Sequence, residues 1–208
     1  FQPILEADKK NAEQINIILV QSNDINAFVA GGANIFFYTG LIEQTDHPGE
    51  LIGVMAHELG HIAGGHLIRS RKALEQASYE SLLSTILGLG AAVATGESGA
   101  AATLSTGGNS MAQRRFLAKT RVFESSADQA ALSYLEKAGL NPTGLLTFLQ
   151  KLEGEELVPQ SQQSEYIRTH PLTRNRIDTI ANAVQSSRFA DTPYPVQWIE
   201  QHLSLIHI

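Results

Sequence analysis

His57-Glu58-Leu59-Gly60-His61 constrains this chain more than any other stretch of it. On an α-helix four residues advance about 400° and roughly 6 Å, so both imidazoles face one pocket and the Glu58 carboxylate projects beside them. Two histidines at that spacing with an enclosed glutamate form the pattern of a zinc-peptidase helix, in which the histidines hold the ion and the glutamate acts as base. Leu51 to Ala56 ahead of the motif and Ile62 to Gly65 after it are apolar or small, which reads as a buried helix. Unpaired polar groups are costly in such a place. The alternative is a surface helix carrying two unrelated histidines.

A catalytic zinc takes three protein ligands and keeps one position open for water. The candidate third ligand lies downstream, where Arg121 to Leu132 reads as a second apolar-faced helix and Glu124 and Asp128 repeat the four-residue spacing on one face. Glu124 is assigned as the third ligand. Asp128 is assigned beside it as acceptor for the ring N–H of a zinc histidine, fixing that ring's tautomer and raising its basicity. Ser125, Ser126 and Ala127 are small enough for this helix to pack closely against another. An exposed acidic face paired with Arg121 or Lys119 is the competing reading.

Four ordered motifs carry a family resemblance: Asn26 to Gly32 with Ile35 to Leu41, the His57–His61 helix with Gly64-Gly65-His66, Glu124 to Asp128, and His170-Pro171 followed by Arg176-Ile177. With them the chain resembles the M48 family of zinc metallopeptidases, and within it the bacterial periplasmic branch, over nearly its whole length. The resemblance implies one Zn2+ on His57, His61 and Glu124 with Glu58 as general base. It also implies a periplasmic protease acting on misfolded or stalled envelope proteins, with the outer-membrane assembly machinery as a candidate partner. The tetratricopeptide repeats of that branch are missing from this sequence.

Composition fits that reading and excludes others. The 208 residues, 43% of them hydrophobic, suffice for one compact core. With a net charge of −6 and no basic run longer than two residues, no nucleic-acid footprint is visible and polyanionic partners are not expected. The absence of cysteine removes thiolate ligands, cysteine nucleophiles and disulfides, and leaves the compartment open. No charged and apolar leader opens the chain, and Phe1 is not an initiator Met, so a processed or trimmed chain is expected.

Along the sequence, residues 1–10 read as the end of a helix and Ile15 to Val20 as a strand. Asn26 to Ala30 and Ile35 to Thr39 form a hairpin around the turn Gly31-Gly32-Ala33-Asn34. An unpaired strand edge at Asn26, Ala27 and Phe28 would bind an extended peptide through its backbone, or the hairpin is simply structural. The segment 81–110 carries only Glu97 as a charge and is expected to form a mobile hairpin of two short apolar helices joined near residues 95–98. Its glycines are expected to interrupt it below the roughly 20 residues a bilayer crossing needs. It would contact membrane, a partner or substrate, or pack on the domain. The peptidase domain is expected over 1–190, with 191–208 a linker or tail.

His170 lies on a Pro-containing loop after the polar stretch 159–165, with a helix beginning near Leu172. It would either cap the metal's open position and hold the protease off, or stabilise the tetrahedral intermediate. Arg176, one turn on, would hydrogen-bond the oxyanion or pair with Asp128 or Glu124. His66 reads as structural, His47, His202 and His207 belong to no motif, and Leu205 to Ile208 look frayed or vector-derived. The expected fold is α+β: a mostly helical zincin-type domain with a small sheet flanking the active helix. The expected reaction is endopeptidase hydrolysis, Glu58 passing the water's proton to the leaving amine. The competing function is a zinc-holding chaperone or assembly factor with little proteolysis. Membrane-embedded prenyl-protein processing is set aside for lack of a spanning segment.

Overall fold

The active helix is fixed at its start by local chemistry. In the computed structural model, which describes residues 2–7, 15–95 and 98–206, helix α3 runs Pro48–Ala63 and takes His47 as its N-cap. His47 Nδ1 accepts from Gly49 N at 3.1 Å, Pro48 presets the first helical φ, and the Glu50 carboxylate accepts from Asp46 N at 2.9 Å. His47, which belongs to no motif in the sequence, therefore sets where this helix begins. The helix ends where Gly65 turns the chain at φ 59°, a conformation costly for any residue with a Cβ. The face from Pro48 to Gly60 is buried throughout.

The chain divides into two compact units, Phe1–Gly64 with Glu124–Ile208, and Gly65–Phe123. In the first, helix α1 (Gln2–Ala7) precedes strands β1 (Asn16–Val20), β2 (Ala27–Ala30) and β3 (Asn34–Tyr38), then helix α2 (Thr39–Glu43) and α3. The sheet order is β1-β3-β2, with β1 parallel and β2 antiparallel to β3. The expected hairpin is β2–β3, and β2 is an edge strand packed on α3. After the second unit the chain continues through the C-terminal end of a long helix, then α6 (Thr143–Leu152), α7 (Glu165–Thr169), α8 (Arg174–Ser186) and α9 (Val196–Ile206). The result is the expected α+β fold, mostly helical with one small sheet. Met55, Leu59, Leu135, Leu145, Phe148, Tyr166 and Ile180 form its core. Within the stretch expected as a linker or tail, α9 packs on α2 and α3, and His202 is buried against Thr45 with Nε2 at 2.7 Å from Oγ1. His207 and Ile208 fall outside the described residues.

The second unit differs from expectation in one respect. Residues 81–110 do not form two short helices: they are the distal parts of two long ones, α4 (His66–Thr95) and α5 (Ser98–Ala138). Gly88 and Gly90 lie inside α4 without breaking it. An interior glycine costs only about 1 kcal/mol, which a helix of 30 residues absorbs. The stretch His66–Ala94 is consequently long and apolar enough, by length and composition, to cross a bilayer. The expectation that glycines rule out a spanning segment is thereby overturned.

Where α3 meets α5 within the first unit, Gly60 is the point of closest approach. A Cβ placed there would lie 2.7 Å from Ala127 O and 2.9 Å from Ala127 Cα, both backbone atoms that cannot swing aside. The small residues around Ala127 and the missing side chain of Gly60 let the two helices approach closely enough to share a site. Gly60→Ala is therefore expected to cost about 1–3 kcal/mol by overpacking, and to weaken metal binding because the helices must separate. Chemical denaturation checks the first effect and metal titration the second; an unshifted midpoint would show that the approach is not tight.

Candidate metal centre

Helix α3 brings His57, Glu58 and His61 to one side, and α5 presents Glu124 and Asp128 to them across the Gly60 approach. Potential ligand atoms of His57, His61, Glu124 and His170 all lie within 4.8 Å of one another. His57 Nε2 and His61 Nε2 are 3.0 Å apart, and Glu124 oxygens lie 3.4 Å from His57 Nε2 and 3.5 Å from His61 Nε2. Two ring nitrogens and a carboxylate converging in a buried site are donors arranged around a cation. Neither Glu58 carboxylate oxygen has a hydrogen-bond partner among the described residues, although the side chain is fully buried. Buried carboxylates are seldom left so, and a positive ion with its water would satisfy this one. The residues present fit a divalent metal.

The surrounding groups hold the cage in place. Asp128 Oδ1 lies 2.9 Å from His57 Nδ1, a close pairing of carboxylate and ring that leaves Nε2 facing His61 and Glu124. Arg176 grips Asp128 with two bonds, Nε to Oδ2 at 2.7 Å and Nη2 to Oδ1 at 2.8 Å, and its Nη1 lies 3.1 Å from Glu124 Oε2. The same Nη1 donates to Pro171 O at 3.0 Å and His170 O at 3.5 Å. Arg176 thus clips the His170-Pro171 loop to the acidic face of α5, which is the pairing alternative for this residue. Thr173 caps α8, accepting from Arg176 N, and so fixes where the guanidinium starts from.

These charges set the protonation states. Burial alone would lower the His57 pKa, but the hydrogen bonds and charges of Asp128 and Glu124 outweigh it and push it up to about 9. Burial pushes the Glu58 carboxyl up to about 8, with the negative Glu124 adding to the effect. Glu124 is buried too, yet the imidazoles of His170 and His57 and the Arg176 guanidinium hold it far below the usual carboxylate range. Burial also raises the intrinsic cost of ionising Asp128, and Arg176 and His57 overcome it. His170 goes the other way: burial drops it to about 4, leaving a neutral imidazole suited to donate a lone pair.

His170 stands opposite the paired histidines, its ring 5.4 Å from that of His57 and 5.2 Å from that of His61 between centroids. Its Nε2 lies 3.4 Å from Glu58 Oε1, and Thr169 Oγ1 lies 3.0 Å from Nδ1. Sequence reasoning missed the residue that orients it. Tyr166 stacks on the His170 ring with centroids 4.6 Å apart and a 25° interplanar angle. Its side chain is fully buried, and its hydroxyl has no hydrogen-bond partner among the described residues. Four residues before His170, it sits one helical turn back in α7, a signal visible in the sequence only once α7 is recognised as a helix.

Of the proposed peptide-binding edge, Asn26 donates its side-chain N–H to Glu165 Oε2 at 3.1 Å, and Tyr38 N donates to Asn26 O at 3.0 Å. Ala27 is buried and Phe28 stacks on Phe36 at 5.0 Å. Ile25 O, just before the strand, accepts from Tyr166 N at 3.0 Å. The end of β2 is thereby joined to the helix that leads into His170. His66 opens α4, buried and stacked on Phe123 at 4.9 Å.

A His-Glu-x-x-His helix, a carboxylate from a second helix and an α+β frame with an edge strand together define a metallopeptidase domain. The chain belongs to Peptidase family M48, which matches residues 3–184. It is 29% identical over 188 residues to the beta-barrel assembly-enhancing protease of Yersinia pestis, covering 89% of this chain and 37% of that protein. Against the protein of the same name from Escherichia coli strain K12, identity is 30% over 176 residues, covering 83% of this chain and 35% of the relative. Metalloprotease LoiP of the same strain is 28% identical over 179 residues, 85% of this chain and 65% of its own length. The chain thus spans little more than a third of the two barrel-assembly proteases.

Proposed function

We propose that this chain is the zinc-dependent endopeptidase domain of a periplasmic protease that hydrolyses misfolded or stalled envelope proteins. The convergence of His57, His61, Glu124 and His170 donor atoms within 4.8 Å of one another carries the reading. The names of the barrel-assembly relatives supply the envelope context and the outer-membrane assembly machinery as a candidate partner. His57, His61 and Glu124 hold one Zn2+, with Asp128 fixing the His57 tautomer and Arg176 fixing Asp128. A bound ion would supply Lewis acidity and a water of lowered pKa. Glu58 would accept the proton of the attacking water on a carboxylate oxygen and pass it to the departing amide nitrogen. The backbone edge of β2 at Asn26, Ala27 and Phe28 aligns an extended peptide with little sequence preference.

Metal analysis tests this directly. One zinc per chain is expected, with casein hydrolysis abolished by a chelator and restored by zinc. The double substitution His57→Ala, Glu124→Gln removes two of three ligands and is expected to empty the site. Full zinc occupancy in that variant, or hydrolysis indifferent to chelation, sinks the assignment.

A latched resting state is the second part of the proposal, favoured by the placement of the neutral His170 ring among the donors and beside Glu58. With the fourth ligand position taken by an imidazole, resting turnover is low, as suits a protease of broad specificity. His170→Ala is expected to raise casein hydrolysis and self-cleavage several-fold. A fall of several-fold to about 10²-fold would instead assign His170 to stabilising the transition state, and unchanged activity would dispose of both roles.

A further inference from the structure

The second unit, Gly65–Phe123, holds an arrangement that peptide hydrolysis does not use. It carries seven arginines and lysines against three glutamates, +4 inside a chain of net −6, so the remainder carries −10. All seven cations lie in two short stretches, 69–72 and 114–121, and none in 81–113, where Glu97 is the sole charge. The two arms run antiparallel, with Arg115 Nη1 3.2 Å from Glu80 Oε1 and Oε2 and Lys119 Nζ 3.2 Å from Gln76 Oε1. The cationic stretches of both arms therefore fall at the same end of the hairpin, and the uncharged stretches at the other.

The faces of α4 divide just as cleanly. At 100° per residue Ala73, Ala77, Glu80 and Ser84 share the side that meets α5. Ala73 and Ala112 are buried there, and Gly108 sits so close to Ser84 that a Cβ on it would lie 2.2 Å from the Ser84 Cβ. On the opposite side Tyr79, Leu82, Leu83, Ile86, Leu89 and Val93 form one stripe, each between 56% and 88% exposed. At about 1.5 Å per residue that stripe is roughly 21 Å long. Toward the helix start the same side continues through Arg71 and Lys72, with Glu75 between them and the stripe, 3.4 Å from Arg71 Nε. A long apolar stripe with cations gathered at one end, on a helix whose other side is occupied, is the pattern of a helix lying in a membrane interface.

We propose that this hairpin docks on an anionic phospholipid bilayer, with the Tyr79–Val93 stripe seated at the headgroup–acyl boundary and the 69–72 and 114–121 cations among the phosphates. Charge complementarity selects lipid. A protein-binding stripe draws its charges around its rim, whereas here they are displaced along the axis to one end, and from Leu82 to Val93 the stripe carries no polar side chain. The one-sidedness of α4 favours lying flat over crossing, because α5 covers the face that a spanning helix would expose to lipid and brings Gly107, Gly108, Asn109 and Ser110 with it. The inference is independent of chemistry at the metal site.

Flotation of the intact chain with vesicles tests it. Binding to phosphatidylglycerol-containing vesicles is expected to exceed binding to pure phosphatidylcholine by at least about tenfold, and to weaken several-fold between 0.05 and 0.5 M salt, at about fivefold per screened cation. Leu83→Glu, Ile86→Glu is expected to abolish binding to both vesicles, with helicity and casein hydrolysis retained. Arg71→Gln, Lys72→Gln, which leaves the apolar stripe intact and cannot unfold a core, is expected to lose about 25-fold on the anionic vesicles alone. Wild-type protein that stays unbound with anionic vesicles overturns the proposal. So does binding that survives both double substitutions, or a stripe variant whose only change is loss of self-association, which would make the stripe a contact between copies of this chain.

Discussion

Glu58→Gln should lose about 10²- to 10⁴-fold in casein hydrolysis while keeping its metal affinity and its fold. The expectation rests on an asymmetry in the site: Glu58 is placed beside the four candidate donors and is not one of them. A glutamine fills the same volume. Burial holds the Glu58 carboxyl up to about 8, so in the metal-free protein at neutral pH the native side chain is already protonated and uncharged. Replacing it by a neutral isostere therefore changes the fold's electrostatics little and removes only the proposed proton shuttle. Zinc content, thermal midpoint and turnover on one preparation separate the outcomes. Undiminished turnover excludes the mechanism, and a wild type with full zinc that stays inert even as His170→Ala would favour the chaperone or assembly role.

The largest effect on stability is expected from Arg176→Met. This guanidinium is 2% exposed, and every bond it makes goes to Asp128, Glu124 or the carbonyls of the His170 loop. Its removal leaves two buried carboxylates without their fixed counter-charge and two carbonyls without a donor. Breaking one side of such a buried network costs about 3–5 kcal/mol. Zinc loading should recover part of this, since the ion compensates Glu124 directly, whereas Asp128 gains relief only through His57. Urea denaturation of metal-free and loaded protein reads both quantities. A loss below about 1 kcal/mol in the metal-free protein would show that the clip does not hold the site together.

Much of this arrangement was legible in the sequence because its signals are local. The His57–His61 spacing, the Glu124–Asp128 repeat and the β2–β3 turn each lie within a few residues, where helix and strand periodicity act directly. The parallel pairing of β1 with β3 was not legible, because register between distant segments leaves no local mark. Tyr166 was hidden for a related reason: its phenyl ring matters through a stack on His170 that requires α7 to be a helix, and α7 has only five residues. The hairpin was misjudged because its glycines were weighed as breakers, when a long helix tolerates them. Whole-chain charge also hides a local segregation, since −6 conceals a cationic unit within a strongly acidic remainder.

The close passage of Gly60 against Ala127 bears on how this enzyme can change over evolutionary time. Gly65–Phe123 leaves the catalytic unit just after one half of the ligand set and rejoins it just before the other, at two points held side by side by that passage. Closure entropy grows only logarithmically with the length of such an excursion. The distal length of the excursion can therefore drift at small entropic cost, whereas its return arm is continuous in α5 with Glu124. The candidate ligands and the apolar stripe of α4 thus lie in separate units of one polypeptide.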